Sequence, residues 1–129
     1  MQLYETLFLA EADRFIQTLD SKTRKKVFYN IRLAENANDP ELFKKLNNDI
    51  WEFRTHYLGI QIRLLAFWDK SDNKQTLVLA TNGFFKKTQK TPKSEIERAE
   101  RIRINYFDEK IKKQPDGNNE KIYPGRDGR

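Results

Sequence analysis

The chain has 129 residues, with 25 basic and 19 acidic side chains, a formal charge of +6 and a pI near 9.5. It has no cysteine and a single histidine, His56, which excludes disulfides, thiolate zinc sites, iron–sulfur clusters, a cysteine nucleophile and a multi-histidine metal site within one chain. This length predicts one domain with one core, and nine Phe, five Tyr and two Trp argue against disorder despite a mean hydropathy of −0.89.

Residues 10–19 read as a short helix with Phe15, Ile16 and Leu19 on one side, and the residues before Ala10 as a short strand. Asp20-Ser21 supplies an N-cap for a second helix ending near Asn36, in which Val27, Phe28, Ile31 and Ala34 recur at helical spacing. Asn36–Pro40 breaks that helix, and Glu41–Leu46 reads as a helical turn or loop.

From Ile50 the texture becomes extended. Ile50–Tyr57 is rich in aromatic and β-favouring residues, and Gly59 marks a turn. Ile60–Trp68 then alternates, with Ile60, Ile62, Leu64, Ala66 and Trp68 on one face and Gln61, Arg63, Leu65 and Phe67 on the other. Asp69–Lys74 has the composition of a hairpin loop, and Gln75–Phe85 returns as a third strand, completing an antiparallel meander.

A last helix is predicted after Thr91-Pro92, with Ser94-x-x-Glu97 as a capping box and Ile96, Ala99, Ile102, Ile104 and Tyr106 on its buried side. The fold class is therefore α+β: two N-terminal helices packed on a small antiparallel sheet of at least three strands, followed by a C-terminal helix. Residues 1–113 form one domain in this reading. Residues 114–129, rich in turn formers and poor in apolar residues, form a disordered or loosely attached tail.

The charge is uneven. The first 60 residues carry nine side chains of each sign, so the whole basic excess falls in 61–129 and points to a polyanionic partner. The longest apolar run, Leu64–Trp68, is far short of the roughly 20 residues of a membrane helix. The start, Met1-Gln-Leu-Tyr-Glu5, lacks the basic and apolar regions of a secretory signal, so a cytoplasmic protein without membrane contact is expected.

The informative stretch for chemistry is Leu46–Ala99. Strand residues Arg54 and Arg63, with Lys86, Lys87 and Lys90 at and beyond the end of the third strand, form a set of cations suited to phosphate. Lys44 and Lys45 would extend this basic rim. Such a set can also stabilise charge developing on a phosphate during cleavage, with a neighbouring 2′-hydroxyl as nucleophile. His56, two positions from Arg54 on a strand, is the candidate for proton transfer, because imidazole titrates near neutral pH. Glu52 is read first as a salt-bridge partner that orients Arg54, and Tyr57 as core or as an acid. Trp51, Phe53, Phe67, Trp68, Phe84 and Phe85 are read mainly as core. No glycine-rich phosphate loop is present, so no nucleotide or other small-molecule cofactor is expected, and no metal.

The ordered series Phe43-Lys-Lys-Leu46, Ile50-Trp-Glu-Phe-Arg54, Ile62-Arg63, Gly83-Phe-Phe-Lys-Lys-Thr-Gln-Lys-Thr-Pro92 and Glu95-Ile-x-x-Ala99 resembles the RelE/ParE superfamily of toxins. It is most similar to the phage-derived HigB-like branch, over roughly Phe15 to Tyr106. The resemblance implies the toxin half of a type II toxin–antitoxin pair and an mRNA interferase, an endoribonuclease working at the ribosome without a metal. It implies phosphate-binding and catalytic roles for Arg54, Arg63 and Lys87, to which His56 is added for proton transfer. RNA binding falls to Lys86, Lys90, Lys44 and Lys45. The implied partners are mRNA, the ribosome and an antitoxin, often with a helix-turn-helix domain. The chain departs from RelE at Ile50 and Glu52, where RelE carries lysines, and at Ser94–Glu97, where RelE has a tyrosine, so RelE's proton-transfer scheme does not carry over. A non-catalytic ParE-like gyrase inhibitor or an RNA-binding module of the same fold is the alternative.

Overall fold

A computed structural model describes residues 1–71, 76–112 and 122–124. The elements run β1 (Glu5–Leu9), α1 (Ala10–Gln17), α2 (Ser21–Asn36), β2 (Phe43–Lys45), β3 (Trp51–Tyr57), β4 (Ile60–Asp69), β5 (Leu77–Phe85), α3 (Lys93–Lys112) and β6 (Ile122–Pro124). The strands form one sheet in the order β2-β3-β4-β5-β1-β6. The α+β class and the β3-β4-β5 meander are as the sequence predicts. The sheet is mixed rather than purely antiparallel, because β1 pairs parallel with β5. Those two strands are not joined by a hairpin, so no tight turn dictates their relative direction.

Two apolar layers cover the sheet. On one face, Tyr4, Phe8, Phe53, Ile62, Leu64, Ala66, Val78 and Ala80 pack with Ala12 and Ile16 of α1 and Val27, Phe28, Ile31 and Ala34 of α2. On the other, Leu65, Phe67, Leu79 and Phe84 pack with Ala99 and Tyr106 of α3. The alternation along β4 thus supplies both layers, as a strand covered on two sides requires. Asp20 caps α2 by accepting the Thr23 N–H at 3.3 Å, which satisfies one of the helix's unpaired donors. Gly83 lies beneath Phe15 of α1. A Cβ there would sit 2.3 Å from Phe15 Cδ2, so the close approach of α1 to β5 requires glycine.

Several expectations change. Within 41–46, expected to be a helical turn or loop, residues Phe43–Lys45 form a strand that follows a turn. Phe43, Lys44 and Lys45 pair with Phe53, Glu52 and Trp51, and the stacking of Phe43 on Phe53 at 4.2 Å anchors that edge. Helix α3 begins at Lys93, and the Pro92 carbonyl accepts the first helical N–H groups, of Glu95 and Ile96, so Ser94 lies inside the helix and does not cap it. Ile104 is 54% exposed, and Phe107 takes the packing place assigned to it. Residues 72–75 of the expected hairpin loop and start of the third strand lie outside the described residues, as does most of the expected tail. Of that tail, Ile122–Pro124 is described, and it pairs antiparallel with β1.

The β3–β4 turn is a two-residue connection between the paired Tyr57 and Ile60, and both of its residues have positive φ, 52° at Leu58 and 79° at Gly59. That is the backbone a tight hairpin asks for, and glycine meets it without strain at the second position only.

Candidate functional site

Strand alternation places Glu52, Arg54 and His56 of β3 on the face that carries α3. Antiparallel pairing then sets Lys44 of β2 opposite Glu52, Arg63 of β4 opposite Arg54, and Gln61 opposite His56. Phe84 of β5 lies beside Arg63, and the chain continues into Lys86, whose N–H donates to the Gln61 carbonyl at 2.8 Å. Side chains from β2, β3, β4 and the end of β5 therefore meet beyond the N-terminal end of α3.

Glu52 is the centre of this group and is 3% exposed. Its Oε1 lies 3.6 Å from Arg63 Nε and 3.8 Å from Arg54 Nε, ion pairs beyond hydrogen-bond distance. Its Oε2 accepts a hydrogen bond from the Thr91 hydroxyl, which pins the segment leading into α3 onto the sheet. The two arginines differ in access: the Arg54 side chain is 25% exposed and that of Arg63 is 4%. Arg63 is held from behind by its bonds to Gln61 Oε1 at 2.7 Å and the Ile62 carbonyl at 3.1 Å. Burial weakens its hold on the proton, Glu52 strengthens it, and Arg54 weakens it again. A guanidinium stays charged through such changes. Lys86 is held below the ordinary lysine range by burial and by the cation of Arg63, against the pull of Glu52, with smaller like-charge effects from Arg54 and Lys44.

The structure thus brings together Arg54, Arg63, Lys86 and, at the strand edge, Lys44. His56 shares their face two positions along β3 and is exposed. Lys87 and Lys90 are exposed in the loop that follows β5. Lys45 points to the opposite face from Lys44, as successive strand residues must, and so does not extend this group of cations. Tyr57 lies on that opposite face too, away from Arg54. Phe53 and Phe67 are buried in the two core layers, and Trp51 and Trp68 border the first.

Two contributors escape sequence reasoning. Thr91 reaches Glu52 from 39 positions away, and no local pattern marks that contact. Asn82 donates to the Glu95 carbonyl at 3.2 Å and to Glu95 Oε1 at 3.0 Å, fixing the first turn of α3 beside the site. Among the described residues, no three His, Asp or Glu side chains converge as a metal site would require, and no helix is long and apolar enough to cross a membrane.

Fold and site together define an α+β protein whose sheet carries several cations around one buried carboxylate. The chain belongs to the phage-derived Gp49-like protein family (DUF891), which matches residues 14–103 and so spans both arginines, Glu52, Lys86 and most of α3. No curated protein matches the chain.

Proposed function

We propose that this chain is the toxin of a type II toxin–antitoxin pair, an endoribonuclease of the RelE/HigB-like kind that cuts messenger RNA and stops translation in the cytoplasm. Membership of the Gp49-like family supports the reading, together with the resemblance of residues 43–99 to those toxins. The observation that carries it is the grouping of Arg54, Arg63, Lys86 and Lys44 around the single carboxylate of Glu52. An excess of cations held in a fixed frame suits a phosphodiester and the extra charge it acquires during cleavage.

In this reading the 2′-hydroxyl of one nucleotide attacks the adjacent phosphorus, and the bond to the 5′-oxygen of the next nucleotide breaks. The products are a 2′,3′-cyclic phosphate and a free 5′-hydroxyl. Arg54 and Lys86, the accessible cations, touch the phosphate oxygens. Arg63, nearly enclosed, adds positive potential from behind. Glu52 holds both guanidinium groups in orientation. His56 takes the proton of the attacking hydroxyl or returns one to the leaving oxygen, and Lys87 and Lys90 contact the RNA or the ribosome. An antitoxin that covers this face would silence the site.

A second reading draws on the enclosure of Arg63: a guanidinium bonded to Gln61 and the Ile62 carbonyl and paired with Glu52 at 3.6 Å also suits a non-catalytic binding module, such as a gyrase inhibitor of the ParE kind. Induced expression in a bacterial host, with growth followed and messenger 5′ ends mapped, separates the two. Growth arrest with new ends inside coding regions, absent in Arg54→Ala, is the expected result. Arrest with intact message would overturn the nuclease reading. In purified form, His56→Gln is expected to slow cleavage by about a hundredfold or more, the usual scale for a lost acid–base group.

A further inference from the structure

At the Trp51 end of β3, beside the edge strand β2, a cleft of about 370 Å³ is lined by Lys45, Asp49, Trp51, Trp68, Lys70 and, from α3, Arg103. That volume lies within the range of small-ligand sites. Trp51 has one ring side stacked on Phe43 at 5.0 Å and meets Trp68 edge-on at 5.6 Å, yet both indoles are only partly buried. The buried indole N–H of Trp68 has no acceptor among the described residues. Three cations surround these rings against one acid: Lys45 is the β2 partner of Trp51, the Lys70 ammonium lies 5.0 Å from the Trp68 ring centre, and Arg103 pairs with Asp49 at 3.4 Å.

We propose that this cleft is a second nucleotide subsite, in which a base of single-stranded RNA stacks on Trp51 and its phosphate is held by Lys45 and Lys70. The inference rests on the reading of the partner as RNA and extends it to a cleft that the scissile site does not use. Aromatic faces flanked by mobile cations are the common solution for single strands, because every base has a π-face and every nucleotide a charge. The route between the two sites is short. Lys44 pairs with Glu52 and Lys45 with Trp51, consecutive rungs of the edge strand β2, so a strand crossing that edge passes from the scissile cluster into the cleft.

Trp51 and Trp68 are the only tryptophans in the chain, so emission excited at the red edge, where tyrosine does not absorb, comes from two residues that line this cleft. The probe is a 2′-O-methyl ribonucleotide pentamer, which lacks the nucleophilic hydroxyl and stays intact. The expected result is saturable quenching that persists in Arg54→Ala and weakens about tenfold in the Lys45→Glu, Lys70→Glu double variant, whose substitutions lie on exposed side chains. A fluorescent label on the pentamer reports total binding in parallel. Binding without tryptophan quenching would overturn the subsite while leaving the scissile site intact. Equal quenching by inorganic tripolyphosphate would overturn base stacking, and quenching by an acidic peptide but not by the pentamer would assign the cleft to a protein. No binding of the pentamer at all would overturn the subsite. The mapped 5′ ends test the nuclease reading separately.

Discussion

Arg54 and Arg63 stand directly opposite each other across the β3–β4 ladder, two like charges on one face of the sheet, with the Glu52 carboxylate 3.8 Å from one and 3.6 Å from the other. Like charges so placed repel, and Glu52 is what permits the pairing. Glu52→Gln keeps the shape and the contact with Thr91 but removes the compensating charge. It is expected to destabilise the fold by about 3 kcal/mol, as loss of one partner from a buried ion pair does. Urea unfolding checks this. A second substitution, Arg63→Met, is expected to recover part of the loss, because the uncompensated cation is then gone.

Lys86 is expected to give RNA binding a dependence on alkaline pH. Burial and the neighbouring Arg63 cation hold its ammonium below the ordinary lysine range, so its charge is lost earlier as pH rises. RNA affinity is expected to decline in the wild type before the solution reaches the pH at which an ordinary lysine loses its charge, and to hold in Lys86→Arg, whose guanidinium does not titrate there. In salt titrations at neutral pH, Lys86→Ala is expected to reduce the slope of log affinity against log salt by about 0.7, the value for one lost contact to a single strand. An unchanged slope would place Lys86 away from the phosphate.

Asp69 contributes to acid stability. Burial pushes its carboxyl up, but the hydrogen bonds from Lys110 at 2.6 Å, from Ser71 and from Tyr106 at 2.7 Å outweigh that and leave its pKa at about 2. A carboxylate whose pKa is lowered by folding stabilises the protein fully above its unfolded value of about 3.9, and that contribution disappears as pH falls through 2. The amount is about 2–3 kcal/mol. Melting temperatures of the wild type and Asp69→Asn are expected to differ above about pH 4 and to converge towards pH 2. A constant gap would show that the contact with α3 does not depend on the charge.

At the β3–β4 turn, Leu58 holds a positive φ and is 79% exposed, so it bears backbone strain without contributing to the core. Leu58→Asn creates the Asn-Gly pair that tight hairpins favour and is expected to stabilise the protein by about 1 kcal/mol. Thermal unfolding reads the gain. Since the turn contributes no side chain to the cluster around Glu52, cleavage by the variant is expected to be unchanged.

Local signals were legible and long-range ones were not. Asp20, Val27, Phe28, Ile31 and Ala34 define α2 within one stretch, and the alternation from Ile62 to Phe67 separates two core layers unaided. Strand β2 carries no such signal, since three residues with two lysines become a strand only through pairing with β3. The same limit applies at the site. The Glu52–Arg54 pair follows from strand spacing, whereas the convergence of Arg63, Lys86 and Thr91 on Glu52 depends on register across three strands and the path into α3. For Ile104, composition suggested a buried position, but Phe107 completes the helix's apolar side with Ala99 and Tyr106. Lys44 and Lys45 read as a unit in sequence and work on opposite faces in space.

The parallel pairing of β1 with β5 has a consequence for synthesis. Glu5 meets Leu77, so the first strand made waits for one of the last before it finds its neighbour. Closing so long a loop is slow compared with forming α1 and α2 or the β3–β4 hairpin. Until β5 has left the ribosome, Phe8 and Leu9 have no sheet partner, and Lys86 cannot come to rest beside Arg63. A chain interrupted before that point lacks Lys86 and the strand that carries it to Arg63, so the cluster of cations is incomplete. Translation therefore has to run almost through the strand order before the sheet closes and the cations of its strands can gather around Glu52.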